Sequence, residues 1–282
     1  MTDILIRPAE LADALTGSRP PVVLDIRWIA GAADRGSYLA GHVPGATFLD
    51  LDQDLAAPPG PGGRHPLPDP WILQDVWRAA GIHDDSTVVV CDTKDSTIAA
   101  RAWWLLHWSG LTDVRVLDGG FAAWEAAGSA VETGDGSVPA LGSVMVVPGG
   151  METVDADGAE MLASGSGVLL DARSAPRYRG ETEPLDSIPG HIPGAVNLPT
   201  TELSNPDGTF RSADELWNKF DEVVGAGTVV ASCGSGVTAC HLILAGALVG
   251  RPMALYPGSY SGWLALGRDV AVGPGPSSTP GQ

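Results

Sequence analysis

The run VVASCGSGVTACHL, residues 229–242, sets Cys233 between two apolar stretches, with Gly234 and Gly236 on its carboxyl side. Val229 to Ser232 reads as a strand, and Val237 to Val249 as the helix after it. Glycines admit the φ > 0 conformations in which successive N–H groups turn toward one point. The N-terminus of the following helix adds partial positive charge at the same point. Such a cradle stabilises a thiolate without help from lysine or arginine, and a stabilised thiolate is a nucleophile. A free thiol packed beside a turn is the bland alternative.

The other two cysteines read as core. Cys240 lies seven residues after Cys233, a rise of about 10 Å along a helix and beyond disulfide reach. Cys91 ends a strand and faces away from Asp92. With no resolving thiol nearby, a sulfur adduct on Cys233 has to be discharged by an external acceptor.

The elements that hold this loop occur twice. PVVLDIRW at 21–28 pairs with GVLLDARS at 167–174, and GHVPGA at 41–46 with GHIPGA at 190–195. TVVVCDTKDST at 87–97 pairs with TVVASCGSGVT at 228–238, and VLDGGFAAW at 116–124 with LYPGSYSGW at 255–263. The offsets stay close, 149 for the histidines (191 − 42) and 139 for the tryptophans (263 − 124), as a tandem duplication requires. Short valine-rich strands alternate with helical stretches: PAELADAL and GAEMLASG begin helices, and ARAWWLLHWSG is a helix closed by Gly110. That alternation predicts an α/β fold, each half a mostly parallel sheet flanked by helices, with ligands at the carboxyl ends of strands. The expected divisions are a first domain at 1–131, a linker at 132–150, a second domain at 151–272 and a disordered tail at 273–282.

Between the copies one difference stands out. Asp92 takes the position of Cys233, and Thr93 and Asp95 those of the two glycines, so the first half is expected to have lost both thiol and cradle. The formal charge of −18, from 34 acidic and 16 basic residues, argues against nucleic acid as a partner and demands a local positive site for any anion. No leader-like start and no run of about 18 apolar residues is present, so a cytoplasmic protein without a membrane partner is expected. Three cysteines suit a reducing compartment.

The ordered set D-x-R, GH-x-PGA and G-x4-W, present in both halves between residue 4 and about 272, with CGSGVT in the second, resembles the tandem-domain rhodanese family of thiosulfate and 3-mercaptopyruvate sulfurtransferases. The resemblance implies two tandem rhodanese-like domains, the first catalytically silent and the second carrying Cys233 as a persulfide-forming nucleophile. It implies a small anionic sulfur donor and a thiol, cyanide or redox-protein acceptor; with no Cys/His cluster at zinc spacing and no Gly-rich lysine loop, neither metal nor cofactor is expected. The loop residues Gly234, Gly236, Val237 and Thr238 then bind substrate, and Ser235 contacts the donor or moves a proton. Asp52 and His65 match the residues that approach this serine in the mercaptopyruvate branch, Arg179 matches the arginine that holds the donor, and Trp28 matches an aromatic lining the pocket.

The loop CGSGVT favours mercaptopyruvate, yet Leu185 stands where that branch often has a second arginine, which leaves the donor open. His42 and His191 occur in both halves, including the one without a nucleophile, and read as turn residues. Two rival functions are weighed. A cysteine phosphatase requires an arginine six residues after the cysteine, where this chain has Ala239. A persulfide carrier without turnover shares the nucleophile and is separated only by assay.

Overall fold

The computed structural model describes residues 4–29, 31–224 and 227–275. They form two compact units. The described residues of the first fall within Met1–Ala57, Leu67–Met151 and Asn205–Phe210, those of the second within Pro58–Pro66, Glu152–Ser204 and Arg211–Gln282. Each unit therefore includes a short segment from the other half of the sequence.

In the first unit the strands are β1 (Leu5–Ile6), β2 (Val22–Asp25), the antiparallel pair β3 (Trp28–Ile29) and β4 (Ala32–Ala33), β5 (Thr47–Phe48), β6 (Val88–Cys91) and β7 (Val114–Leu117). A five-stranded parallel sheet runs in the order β1-β7-β6-β2-β5. All four residues of β6, VVVC, are buried, as a central parallel strand covered on both faces requires. The helices are α1 (Pro8–Leu15), α2 (Arg35–Ala40), α3 (Leu51–Asp54), α4 (Pro70–Ala79), α5 (Ala99–Trp108) and α6 (Gly120–Ala126). Asp69 caps α4 through the Trp71 N–H, with Pro70 at its first position. α5 is buried on every side from Ala99 to Leu106, which suits its AARAWWLL sequence.

The second unit repeats this order with β8 (Gly167–Asp171), β9 (Val196–Asn197), β10 (Thr228–Ser232) and β11 (Ala254–Leu255), arranged β11-β10-β8-β9 and parallel throughout. The counterpart of β1 shrinks to one parallel bridge, Thr153 to Leu255. Its helices are α7 (Ala156–Met161), α8 (Ala175–Tyr178), α9 (Ala213–Val223), α10 (Ala239–Leu248) and α11 (Ser259–Ala265). Ser212 and Glu215 form a capping box on α9. Leu216 and Phe220 fix which face of that helix is buried.

Both sheets end in the same buried ion pair. Arg27 bonds Asp25 at 2.8 Å and Arg173 bonds Asp171 at 2.7 Å. The two guanidiniums also donate to Gly41 O and Gly190 O, and they lie 4.3 and 4.1 Å from the rings of Phe121 and Tyr260. His42 and His191 are buried in both turns, stacked on Tyr38 and Tyr178 at 4.0 and 3.8 Å, with Nδ1 on the tyrosine carbonyl.

The stretch 132–150 is bound to the first unit along much of its length. Gly142 N donates to Arg78 O, Val147 N to Ser109 O and Gly150 N to Trp108 O, and Val144 is buried. Most of the expected tail, 276–282, lies outside the described residues.

Candidate active site

Cys233 is the first residue after β10, at the carboxyl edge of its sheet and 2% exposed. Its Sγ accepts from the N–H groups of Ser235 at 3.4 Å and Gly236 at 3.1 Å, the cradle the glycine spacing predicts. Gly236 has φ +80, and a Cβ there would strike the carbonyl of Pro257. α10 opens two residues later than the sequence suggests, with Val237 buried in the loop and Thr238 at its amino end. From behind, the Cys240 thiol meets Gly236 O at 3.3 Å, so this cysteine packs under the loop.

Ser259 completes the loop, and sequence reasoning missed it. Its hydroxyl donates to Tyr256 O at 2.9 Å and accepts from the Cys233 N–H at 3.0 Å. It is fully buried at φ +49, a conformation that non-glycine residues adopt at a cost. The first unit has Gly120 at φ +60 in the matching turn. The signal was legible as PGS against DGG.

Positive charge reaches the loop from outside it. A Cβ on Gly234 would lie 2.8 Å from Arg64 Nη2 and 3.5 Å from Arg177 Nη2, so both guanidiniums crowd this glycine. The expected donor-holding residue, Arg179, is placed elsewhere: it bonds Glu181 at 2.7 Å and is 37% exposed. The reason is the helix phase of α8. Tyr178 is buried, and the arginines on either side of it point different ways. Arg177 and Arg64, rather than Arg179, are thus the cations beside the cysteine loop.

Two carboxylates hold these arginines. Glu183 bonds Arg177 at 2.7 Å and Arg173 at 3.3 Å, and Asp186 bridges Arg177 and Arg64. Burial pushes the Glu183 carboxyl up, but bonds from Arg177 and from the N–H groups of Leu185 and Asp186 outweigh it and hold the group below its ordinary range.

His65 joins Ser235 as expected, Nδ1 to Oγ at 2.7 Å. Its segment is anchored by paired Gly60 and Gly63 backbone bonds and by Arg64 N donating to Ser261 Oγ at 3.0 Å. Trp28 and Asp52 belong to the first unit, where Trp28 Nε1 donates to Asp52 Oδ2 at 3.1 Å.

The first unit's loop corrects an expectation. It is one residue longer, since α5 begins seven residues after Asp92 whereas α10 begins six after Cys233. Ser96 at φ +61 takes the part of Gly236, and Thr93 and Asp95 are not simple stand-ins for the glycines. The cradle survives and is full: Asp92 accepts from the N–H groups of Lys94, Ser96, Ile98 and Ala99 at 2.9–3.1 Å. Burial, aided by Asp95 and opposed by those bonds, pushes its carboxyl up to about 6.

The two parallel-sheet units agree with what the comparison with known proteins shows. Residues 7–127 and 155–266 each match the rhodanese-like domain. The chain belongs to that family. Over 269 residues it is 41% identical to a putative thiosulfate sulfurtransferase, SseB, of Mycobacterium tuberculosis, covering 92% of this chain and 93% of the relative. Over 263 residues it is 44% identical to a probable 3-mercaptopyruvate sulfurtransferase of Pseudomonas aeruginosa, covering 89% and 92%. The crystal structure of SseA from Escherichia coli, a 3-mercaptopyruvate sulfurtransferase by its description, superposes with a TM-score of 0.82 at 30% identity over 93% of this chain and all of that one. This rhodanese-family protein is an enzyme of the sulfurtransferase class. No helix among its described residues is long and apolar enough to cross a membrane.

Proposed function

We propose that Cys233 takes a sulfane sulfur from a small anionic donor and passes it, as a persulfide, to a thiophilic acceptor. The observation that carries this reading is the meeting of two backbone N–H groups on Sγ with two guanidiniums at Gly234. Arg177 and Arg64 bind the donor's anionic group, and the amides stabilise negative charge on sulfur before and after transfer.

The thiolate attacks the terminal sulfur of the donor and an S–S bond forms. With thiosulfate, the older S–S bond breaks and sulfite leaves with its electron pair. With 3-mercaptopyruvate, the C–S bond breaks and the pyruvate enolate takes up a proton. Ser235 and His65, 2.7 Å apart, are the groups that supply or pass this proton. Cyanide or a thiol then attacks the outer sulfur and releases the Cys233 thiolate.

The test is steady-state turnover of both donors with cyanide. Cys233→Ser is expected to abolish thiocyanate formation, and the wild-type protein treated with donor gains the mass of one sulfur at Cys233. Transfer that survives Cys233→Ser refutes the reading, and a persulfide without turnover favours the carrier. His65→Ala is expected to slow mercaptopyruvate turnover more than thiosulfate turnover. The same comparison with Asp52→Asn tests the part that the resemblance gives to that carboxylate.

A further inference from the structure

Leu185, at the position where a second arginine would reach the donor, is exposed, and its neighbour Asp186 is turned inward. The Asp186 side chain is only 3% exposed and lies between Arg64 and Arg177, which are 29% and 19% exposed. Asp186 uses one oxygen for each guanidinium, Oδ1 for Arg64 and Oδ2 for Arg177. It is an internal anion already seated on the two cations that a donor must use.

Behind it the charges alternate. Glu183 ties Arg177 to Arg173, and Arg173 ties Glu183 to Asp171. In this cluster Arg64, Arg173 and Arg177 are matched by Asp171, Glu183 and Asp186, so the arginines bring no surplus positive charge to the mouth. Arg64 Nη2 and Arg177 Nη1 and Nη2 still crowd Gly234, so donor N–H groups face the loop while their net field is spent. A singly charged donor with a planar carboxylate gains guanidinium bonds there. A dianion carries a second charge into the field of Asp186, within a partly desolvated site where screening is weak.

We propose that Asp186 is a specificity-determining residue that, by bridging Arg64 and Arg177, biases the site toward a monoanionic 2-oxo-acid donor and against dianionic thiosulfate. The inference rests on the sulfurtransferase reading for its substrates, and it assigns to Arg64 the place of the second arginine absent at Leu185. Asp186 acts through the guanidiniums and contacts no reacting atom.

Two measurements test it. The first compares kcat/KM for 3-mercaptopyruvate and thiosulfate in the wild type and in Asp186→Asn. The wild type is expected to favour mercaptopyruvate, and Asp186→Asn to move the ratio toward thiosulfate about tenfold, chiefly through KM. The second needs no turnover: protection of Cys233 from iodoacetamide by pyruvate, a monoanion, and by sulfate, a dianion. Pyruvate is expected to protect the wild type at the lower concentration, and sulfate to gain on it in Asp186→Asn. A wild type that prefers thiosulfate and sulfate overturns the proposal even if the variant fails to fold. Unchanged ratios in a folded variant, with a Tm near that of the wild type, overturn it as well. A protein that turns over neither donor, yet whose pyruvate-to-sulfate preference moves with Asp186, refutes the enzymatic reading and leaves the charge assignment standing.

Discussion

At the residue scale, Asp92 and Cys233 are two answers to one backbone shape. Each follows the end of a central strand, and each offers negative charge or sulfur to amides that curl around it. The carboxylate has four N–H partners and still sits near pKa 6, because burial removes more hydration than the amides return. Its folded value lies above the ordinary 3.8 of an aspartate, so the native state binds the extra proton. The stability contributed by this group is present below about pH 3.8 and is lost as the pH rises through about 6. In Asp92→Asn that slope is expected to vanish, while an amide nitrogen facing N–H donors lowers stability by about 1–3 kcal/mol. Thermal unfolding of the two proteins at pH 4.5 and pH 7 reads both effects; parallel pH profiles would refute the assignment.

At the scale of elements, the loop is positioned as much by α11 as by its own strand and helix. Ser259, first residue of α11, holds the Cys233 N–H and the Tyr256 carbonyl with one hydroxyl. Ser259→Gly keeps the left-handed backbone and removes both bonds, at about 1–3 kcal/mol. Ser259→Ala removes the same bonds and keeps the left-handed strain of about 1–2 kcal/mol that serine already bears and glycine relieves. Urea unfolding is expected to place both the wild type and the glycine variant above the alanine one; an alanine variant as stable as the glycine one would show that the conformation is not strained. Much of this framework was legible in the sequence. The strand ends, the GH turns and the G-x4-W turns recur in order, and the two sheets pair their matching strands in the same way. What escaped was local phase and distant approach. An ungapped match hid the extra residue after Asp92, and PRYRGE does not reveal which arginine shares the buried side of Tyr178. Arg64 reaches Asp186 across 122 positions, and no periodicity encodes such a meeting.

At the scale of the whole molecule, charge works against the chemistry. The protein carries a formal −18, and the arginines beside Cys233 are matched by buried or half-buried acids. Anionic donors therefore approach against a repulsive field that low salt leaves unscreened. Raising ionic strength from about 0.01 M to 0.15 M shortens the screening length from about 30 Å to about 8 Å. kcat/KM is expected to rise a few-fold over this range, more for thiosulfate than for mercaptopyruvate. A fall for both donors would mean that local attraction outweighs the global field. The assignment of Pro58–Pro66 to the second unit and Asn205–Phe210 to the first has a genetic consequence. A gene cut at the old duplication joint yields a second-half product without Arg64 and His65, however well it folds. Recombination can no longer trade the two copies as interchangeable cassettes, and selection now acts on them as a single heritable unit.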